Sequence, residues 1–431
     1  MRILFVTPHP PSRIRVRSYG FLTQLQREHD VTLVTQCLTE RERTHVEALR
    51  SQGYNVVAVP GSRRISLVQC GLALFSSTPL QLAYARSAHV AQVVHDLCTH
   101  QHFDIVHVEH IRGLASLTKM ERSSPPLVWD AVDCISLLWE HAMTAGVSLR
   151  VRTIALVEHK RTQRFEAKMQ GQVQHVLITS VRDRQAMMGL YHQYAMNAGN
   201  GDTRAEAVSN ISVIPNGVDL EYFHPVQQEP RHFNLVFLGR MSYHANIATA
   251  LYLYRQVMPL IWKQRPEAIF TIVGSSPPKI IRRLANDPRV EVTGYVDDIR
   301  PFVRSAQVML CPMAYSVGIQ NKVLESMALG TPVVVSARVA NALNAQPGRD
   351  LLIAESAQEF ADAALLLMND AELHAVLSRS GREYVEQYHD WSALTNQLVS
   401  VYQQALVTCK RDSSAFAIAM QTAGRTSQQT I

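Results

Sequence analysis

Residues 311–335 read Cys311-Pro-Met-Ala-Tyr-Ser-Val-Gly318-Ile-Gln-Asn321-Lys322-Val-Leu-Glu325-Ser-Met-Ala-Leu-Gly330-Thr-Pro-Val-Val-Val335. An apolar run, Val308-Met-Leu310, leads in and stops at Cys311-Pro312. A loop follows from Met313 to Gln320. The stretch from Asn321 to Leu329 has helical spacing and ends at Gly330, a usual C-terminal residue of a helix. Pro332-Val-Val-Val335 then reads as a second strand. Strand, loop, helix and strand together are the unit of a parallel sheet. The loop brings whatever binds there to a helix N-terminus, where free N–H groups and the helix dipole favour a phosphate. Lys322 adds a positive charge in the first turn. Glu325, one turn on, is an acceptor suited to a pair of sugar hydroxyls. A plain βα unit, with a surface lysine and a glutamate that complements the dipole, has the same pattern. The segment alone leaves both readings open.

The same rhythm runs outward in both directions. In the second half, Leu235–Leu238 ends in Gly239-Arg240, Ile269–Val273 in Gly274, and Val290–Thr293 in Gly294. In the first half, Met1–Val6, Val31–Val34, Val56–Val59, Ile105–Val108, Leu127–Trp129 and Val176–Ile178 are strand-like, with helical stretches between. One of these, Arg17 to Glu28, sets Tyr19, Leu22 and Leu25 on one face. Residues 195–210 are small and polar and read as a surface loop. Pro215-Asn-Gly is a strong turn signal just after it. The expected fold is therefore α/β, with two Rossmann-like doubly wound parallel-sheet domains facing across a cleft. The first spans residues 1–212 and the second 213–388. A C-terminal helix over 389–409 is expected to pack back on the first domain, before a disordered tail over 410–431.

With 431 residues the chain is long enough for two cores, and 47% hydrophobic with 18% charged residues is a globular composition. No run approaches the roughly 20 apolar residues of a membrane-spanning helix, and the N-terminus does not read as a signal peptide. None of the six cysteines forms a Cys-x-x-Cys, and the 18 histidines show no zinc-ligand pairing. Reduced thiols and a cytoplasmic location are expected. Residues 1–210 hold 23 Lys+Arg against 17 Asp+Glu, whereas residues 211–431 hold 19 of each. The excess is either composition drift or a basic surface facing an anionic acceptor or an anionic membrane leaflet. Nucleic acid is not expected, because no basic run is interleaved with aromatics.

Ligands in open parallel sheets bind outside the carboxyl ends of the strands. Gly239, Gly274 and Gly294 mark strand ends where a backbone can approach a ligand or simply turn tightly. Arg240 is a second cation at such an end, able to bridge diphosphate oxygens or to serve a surface salt bridge. No Asp-x-Asp stands in a suitable loop to hold a divalent metal, and Asp297-Asp298 is expected to cap a helix starting near Ile299. No metal and no cofactor are expected. Positive charge for a leaving diphosphate would come from Arg240, Lys322 and the helix N-terminus.

Four stretches then occur in a known order: Pro215-Asn-Gly-Val-Asp219 through Phe223-His-Pro225, Phe237-Leu-Gly-Arg240, Gly294-Tyr295-Val296-Asp-Asp298, and Gly318 through Glu325 to Gly330-Thr-Pro-Val-Val. Together they resemble the family 4 retaining glycosyltransferases of the GT-B fold. The run GIQNKVLESMALGTPVV, with PHPP and RVRSY near the start, resembles more closely the sugar transferases of exopolysaccharide and exosortase systems. The resemblance covers roughly residues 1–405 and is strongest in the second half. It implies a nucleotide sugar bound by the second domain and a lipid-linked or glycan acceptor bound by the first. It implies Glu325 on the ribose and Arg240 on the diphosphate, with the loop from Val317 through Gly318, Ile319, Gln320 and Asn321 presenting amides. Gly239, Tyr295 and Val296 would line the same site.

Three positions depart from the family. Val317 stands where the first of two glutamates belongs. Asn246 stands where a diphosphate lysine belongs, and Lys322 is expected to take over. A histidine expected after a first-domain strand is absent; Asp130 and Asp133 are the substitutes in the catalytic set with Arg240 and Lys322, and His110 is a further candidate. Asp130 reads equally as a structural cap, and His110 as a surface histidine.

Three functions follow. One is hexosyl transfer with retention, in exopolysaccharide or cell-envelope glycan synthesis. The second is a nucleotide-sugar epimerase of the same fold. The third is an inactive binding protein. The apolar segment Ile65–Ala85, after Arg63-Arg64, is either a membrane-contact surface or a buried element.

Overall fold

The computed structural model describes residues 1–117, 125–144, 149–197, 210–226, 233–313 and 319–426. It divides into two compact units, one built from Met1–Met143, Ser148–Ile214 and Leu394–Ile431, the other chiefly from Pro215–Ala393.

The first unit holds a seven-stranded parallel sheet of β1 (Arg2–Thr7), β2 (Asp30–Cys37), β3 (Asn55–Pro60), β4 (Ile105–Glu109), β5 (Leu127–Val132), β6 (His175–Ile178) and β7 (Ile211–Val213). Their spatial order is β3-β2-β1-β4-β5-β6-β7, so the order reverses between β1 and β4. β1 is buried at five of its six positions, as a strand with helices over both faces must be. The helix Val16–Glu28 buries Leu22 and Leu25 as its apolar spacing suggests, but Arg17, Ser18 and Phe21 are buried with them while Tyr19 is only partly so. The reason is a buried ion pair. Arg17 Nε donates to Asp130 Oδ2 at 2.6 Å, with the two side chains 4% and 0% exposed. Arg17 Nη1 also donates to the Ile214 carbonyl at 2.9 Å.

The second unit holds a six-stranded parallel sheet of β8 (Asn234–Leu238), β9 (Ile269–Val273), β10 (Val290–Gly294), β11 (Val308–Cys311), β12 (Val333–Val335) and β13 (Leu352–Ile353). The order β10-β9-β8-β11-β12-β13 reverses between β8 and β11. Leu235 and Phe237 of β8 face one apolar cluster, and Val236 and Leu238 face the other. That alternation is the period-two pattern of a strand inside two helical layers. The helix Asn321–Ala328 follows β11, and Gly330 (φ 77°) closes it in the left-handed region that glycine reaches without strain.

Ile211–Val213 is the last strand of the first sheet, and the division between units falls after Ile214, just before the Pro215-Asn-Gly turn. The C-terminal helix runs Trp391–Thr426, past the residue at which the sequence pattern ends it. Most of the polar stretch 198–209 lies outside the described residues, and Ala195–Asn197 closes the helix Val181–Asn197. No helix among the described residues is long and apolar enough to cross a membrane.

Candidate functional site

Strand reversal leaves a gap above the sheet where no helix covers the strand ends, and ligands of doubly wound sheets settle there. In the second unit the reversal lies between β8 and β11, which deliver Gly239-Arg240 and Pro312-Met313. Lys322 arrives from the first turn of the helix after β11. Its Nζ donates to Asn246 Oδ1 at 2.7 Å, stands 3.6 Å from Met313 Sδ and lies 4.7 Å from the Phe237 ring centroid. Asn246, on the helix His244–Tyr252, donates through Nδ2 to the Arg240 carbonyl at 3.0 Å. The ammonium thus has one strong acceptor for three N–H donors, and dense packing lowers its pKa. A poorly compensated, half-buried cation is complemented by an anion.

Asn246 is also the position at which the family resemblance places a lysine. Lys322 reaches that same place from another helix, its Nζ 2.7 Å from Asn246 Oδ1. Arg240 is exposed, and its guanidinium forms no ion pair among the described residues.

Glu325 stands one turn along from Lys322. Burial pushes its carboxyl up to about 7, and the neighbouring Lys322 opposes that shift. A carboxyl so raised accepts a ligand hydroxyl well. It also destabilises the empty fold once ionised. The unfolded value is near 4.5, so the folded state binds the extra proton between there and 7, and stability falls as pH rises through that window. Glu325→Gln removes this dependence. Its thermal midpoint is expected to gain on wild type steadily from pH 5 to pH 8, by an amount on the order of 1 kcal/mol after allowance for partial solvent contact. A gap that stays constant with pH, read by scanning calorimetry, sinks the assignment.

Close backbone approach shapes the floor of the site. A Cβ placed on Gly274 would lie 1.8 Å from the Gly239 carbonyl oxygen, and one on Gly239 would lie 2.6 Å from Asn246 Nδ2. Neither glycine merely serves a turn. Gly274→Ala forces backbone against backbone, and a loss of roughly 3 kcal/mol or more in urea unfolding is expected, with donor binding abolished. A near wild-type midpoint refutes this account.

The N-terminus of the helix Asn321–Ala328 is anchored by a hydrogen-bonded relay. Asn216 Nδ2 donates to Asn321 Oδ1 at 3.0 Å, and the Asn216 carbonyl accepts from His389 Nδ1 at 2.6 Å. His389 Nε2 accepts from the Tyr384 hydroxyl at 2.9 Å, and burial lowers the imidazole to about 4, so the ring is neutral and carries its proton on Nδ1. Gln320, the residue before the helix, makes no side-chain cap, so its first N–H groups are not claimed by that side chain.

Ile319 is buried in the apolar cluster beneath Val323 and Leu324, and Val296 packs against the same cluster; Tyr295 is exposed. Gly318 and Val317 lie outside the described residues. Asp298 accepts from the Arg300 N–H at 2.9 Å and pairs with its guanidinium, whereas the N-cap of the helix Arg300–Arg304 is Ile299, without a side-chain capping bond.

In the first unit, the two aspartates named as substitutes for the missing histidine separate. Asp130 is fully buried between Arg17 and His107, whose Nε2 lies 3.8 Å from its Oδ2. It presents no face to a substrate, and the geometry gives it a structural task instead of the catalytic one expected. His107 stacks on Phe5, and its Nδ1 pairs with the Tyr402 hydroxyl at 2.9 Å. Asp133 sits past the end of β5. Burial and the charge of Asp183 raise it to about 7, and it accepts from the Thr179 hydroxyl at 3.3 Å.

The residue before Asp133, Val132, has φ 69°, a conformation that a β-branched side chain adopts only under strain. His110, past the end of the adjacent β4, has φ 62°. Burial, then the charge of Arg112, lowers it to about 3, so it is neutral. Glu109, beside it, is raised to about 7 by burial and by the charge of Asp130. Strained backbone and perturbed carboxyls therefore meet at the ends of β4 and β5, next to the first sheet's own reversal point. Glu109 gave no signal in the sequence beyond being the last residue of an apolar strand. Among the described residues, no three His, Cys, Asp or Glu side chains converge as metal ligands.

Comparison with known proteins adds the following. Residues 232–370 match the family model described as glycosyl transferases group 1. The phosphatidyl-myo-inositol mannosyltransferase of Mycobacterium leprae is 28% identical over 209 residues, 46% of this chain and 55% of that protein. A GDP-mannose-dependent alpha-(1-6)-phosphatidylinositol dimannoside mannosyltransferase of Mycobacterium tuberculosis is 27% identical over 210 residues, covering 43% of this chain and 51% of that one. The chain spans about half the length of these curated relatives. Among solved structures, Anabaena HepE in complex with UDP superposes with a TM-score of 0.59 at 16% identity, over 94% of this chain and 100% of that one. Sucrose-phosphate synthase from Thermosynechococcus elongatus gives 0.65 at 15% identity, over 94% and 99%. With the two parallel sheets, these likenesses establish the GT-B fold.

Proposed function

We propose that this protein is a glycosyltransferase that moves a hexosyl unit, with retention, from a nucleoside diphosphate sugar to a lipid-linked or glycan acceptor in exopolysaccharide or cell-envelope glycan synthesis. The observation that carries the reading is Lys322. Its ammonium is drawn to the end of β8 beside Arg240, above a helix N-terminus and one turn from Glu325. A nucleoside diphosphate fits that set. Arg240, Lys322 and the first-turn amides of Asn321 and Lys322 meet the phosphates, and Glu325 takes the ribose hydroxyls. No metal or cofactor enters this reading, because fixed cations meet the charge of the departing diphosphate. The match to group 1 glycosyl transferases supports it, as do relatives named for mannosyl transfer to phosphatidylinositol lipids.

In the reaction the bond from the anomeric carbon to the diphosphate oxygen breaks. The acceptor oxygen bonds to that carbon on the same face. The acceptor proton passes to the leaving phosphate oxygen. Asp133, held near neutrality of charge at the end of β5, is the acceptor-side group that orients the incoming hydroxyl.

Thermal-shift titration with a panel of UDP- and GDP-sugars tests the reading. One of them is expected to raise the unfolding midpoint, by about 2.7 kcal/mol of stabilisation at a hundredfold excess over Kd. Labelled sugar from that donor should then appear in a membrane-lipid extract. Stabilisation by no nucleotide sugar overturns it.

A further inference from the structure

The helix Arg63–Ala73 is built inside out. It buries Ser66 and Ala73 and sets Cys70 Sγ 3.6 Å from the Leu80 carbonyl. Its large apolar side chains, Ile65, Leu67, Val68 and Leu72, face solvent, with Leu72 69% exposed. Past its end Leu74 is exposed and Phe75 is 93% exposed. An amphipathic helix on a folded chain normally turns this face inward. The long helix Leu149–Gln170 extends the same face. Arg161 donates to the Leu74 carbonyl at 2.9 Å, Glu158 accepts the Leu80 N–H at 2.7 Å, and Ile154, Leu156 and Val157 are exposed nearby.

On these two helices the exposed charges, among the described residues, have one sign. Arg63 and Arg64 are exposed at the start of the first helix, and Lys160, Arg164 and Lys168 are exposed along the second. The two carboxylates of the second helix, Glu158 and Glu166, are buried, and the first helix has none. A contiguous apolar surface of this kind marks an interaction site.

We propose that this face docks the protein on an anionic membrane leaflet. Phe75, Leu72, Val68 and Ile65 enter the boundary between headgroups and acyl chains, while the arginines and lysines meet lipid phosphates. A second copy of the chain is a poorer occupant, since two such faces would oppose rims of like charge. The inference stands on the first unit alone and does not depend on which sugar the second unit binds.

The test is co-sedimentation of the full chain with vesicles of equal parts phosphatidylglycerol and phosphatidylcholine, without any nucleotide sugar. Binding at low salt is expected, with affinity falling steeply as salt is raised. Leu72→Ser/Phe75→Ser should bind at least about tenfold more weakly. Arg63→Ser/Arg64→Ser should lose roughly tenfold or more, and pure phosphatidylcholine vesicles should bind wild type correspondingly poorly. All four side chains are exposed, so unchanged thermal midpoints certify that the variants fold. Absence of binding at low salt overturns the proposal, as does unchanged binding by the Leu72→Ser/Phe75→Ser variant or equal binding to neutral vesicles. A wild-type oligomer that dissociates in that variant, with no vesicle binding, gives the face to a second copy instead. Donor stabilisation in the thermal-shift panel is a separate readout, so either result can fail alone.

Discussion

Arg17→Met lowers the stability of the full chain by roughly 3–5 kcal/mol, because it strands the Asp130 carboxylate in the core. Asp130 is 0% exposed, and its one close cation is Arg17 at 2.6 Å. Its next neighbour, His107, is held to about 4 by burial and is therefore neutral at ordinary pH. Among the described residues, no other cation lies within ion-pair distance of this carboxylate. The loss reaches beyond the pair, since Arg17 also holds the carbonyl of Ile214, the last residue of the unit before the chain leaves it. In a thermal scan the first unit should unfold on the order of 10 °C earlier. The double variant Arg17→Met/Asp130→Leu separates cause from bulk. With both charges gone the desolvation cost disappears, and much of the stability should return. If the double variant is as unstable as the single one, packing by the arginine stem rather than charge explains the effect. If the single variant is as stable as wild type, the pair contributes nothing.

That pair also shows where sequence reading stops. The strands were legible because a parallel sheet between two helical layers needs largely apolar runs, unbroken in Ile3–Val6 of β1 and Leu235–Leu238 of β8 and interrupted only by threonine in Val31–Val34 of β2 and in β9. β13, two residues long, has no such run and was missed. The burial of Arg17 has no local signal, because only a partner distant in sequence, Asp130, brings the guanidinium in. Asp130 reads from sequence as a substitute for the missing histidine or as a structural cap, and the sequence pattern does not show the buried arginine that engages it. The segment from Asn321 to Glu325 was legible because its chemistry is local: a loop, a helix start, a lysine and a glutamate one turn apart. The relay from Tyr384 through His389 and Asn216 to Asn321 was not, since its members lie up to 173 residues apart and meet only through folding. Likewise the exposed face of Arg63–Ala73 has ordinary apolar content. Its direction depends on which side packs, and small residues took the inner side.

Lys322 yields the sharpest functional expectation. Lys322→Ala should lower kcat/KM for the nucleotide sugar by roughly 100- to 1,000-fold, the usual cost of removing one fixed donor to developing negative charge. The loss should appear in donor binding as well as turnover, because in the proposed reading the ammonium faces the ground-state diphosphate too. Such a loss alone does not prove the role, since Lys322 also ties Asn246 to the helix start. Moving the charge does. Asn246 Oδ1 and Lys322 Nζ are 2.7 Å apart, so the two side chains reach one place from two helices. In Asn246→Lys/Lys322→Asn the cation returns to that place on the helix after β8, with an amide opposite it as before. The exchange should restore at least about tenfold of the activity that Lys322→Ala removes, although Asn246→Lys alone crowds two ammonium groups and is itself impaired. Activity depends on this reading because the diphosphate senses where the charge is, not which residue carries it. A purely structural lysine predicts the opposite, with Lys322→Met tolerated for its matching stem and the exchange no better than alanine. Kinetics of these four variants at saturating acceptor decide between them, and a fully active Lys322→Met protein removes the diphosphate from this site.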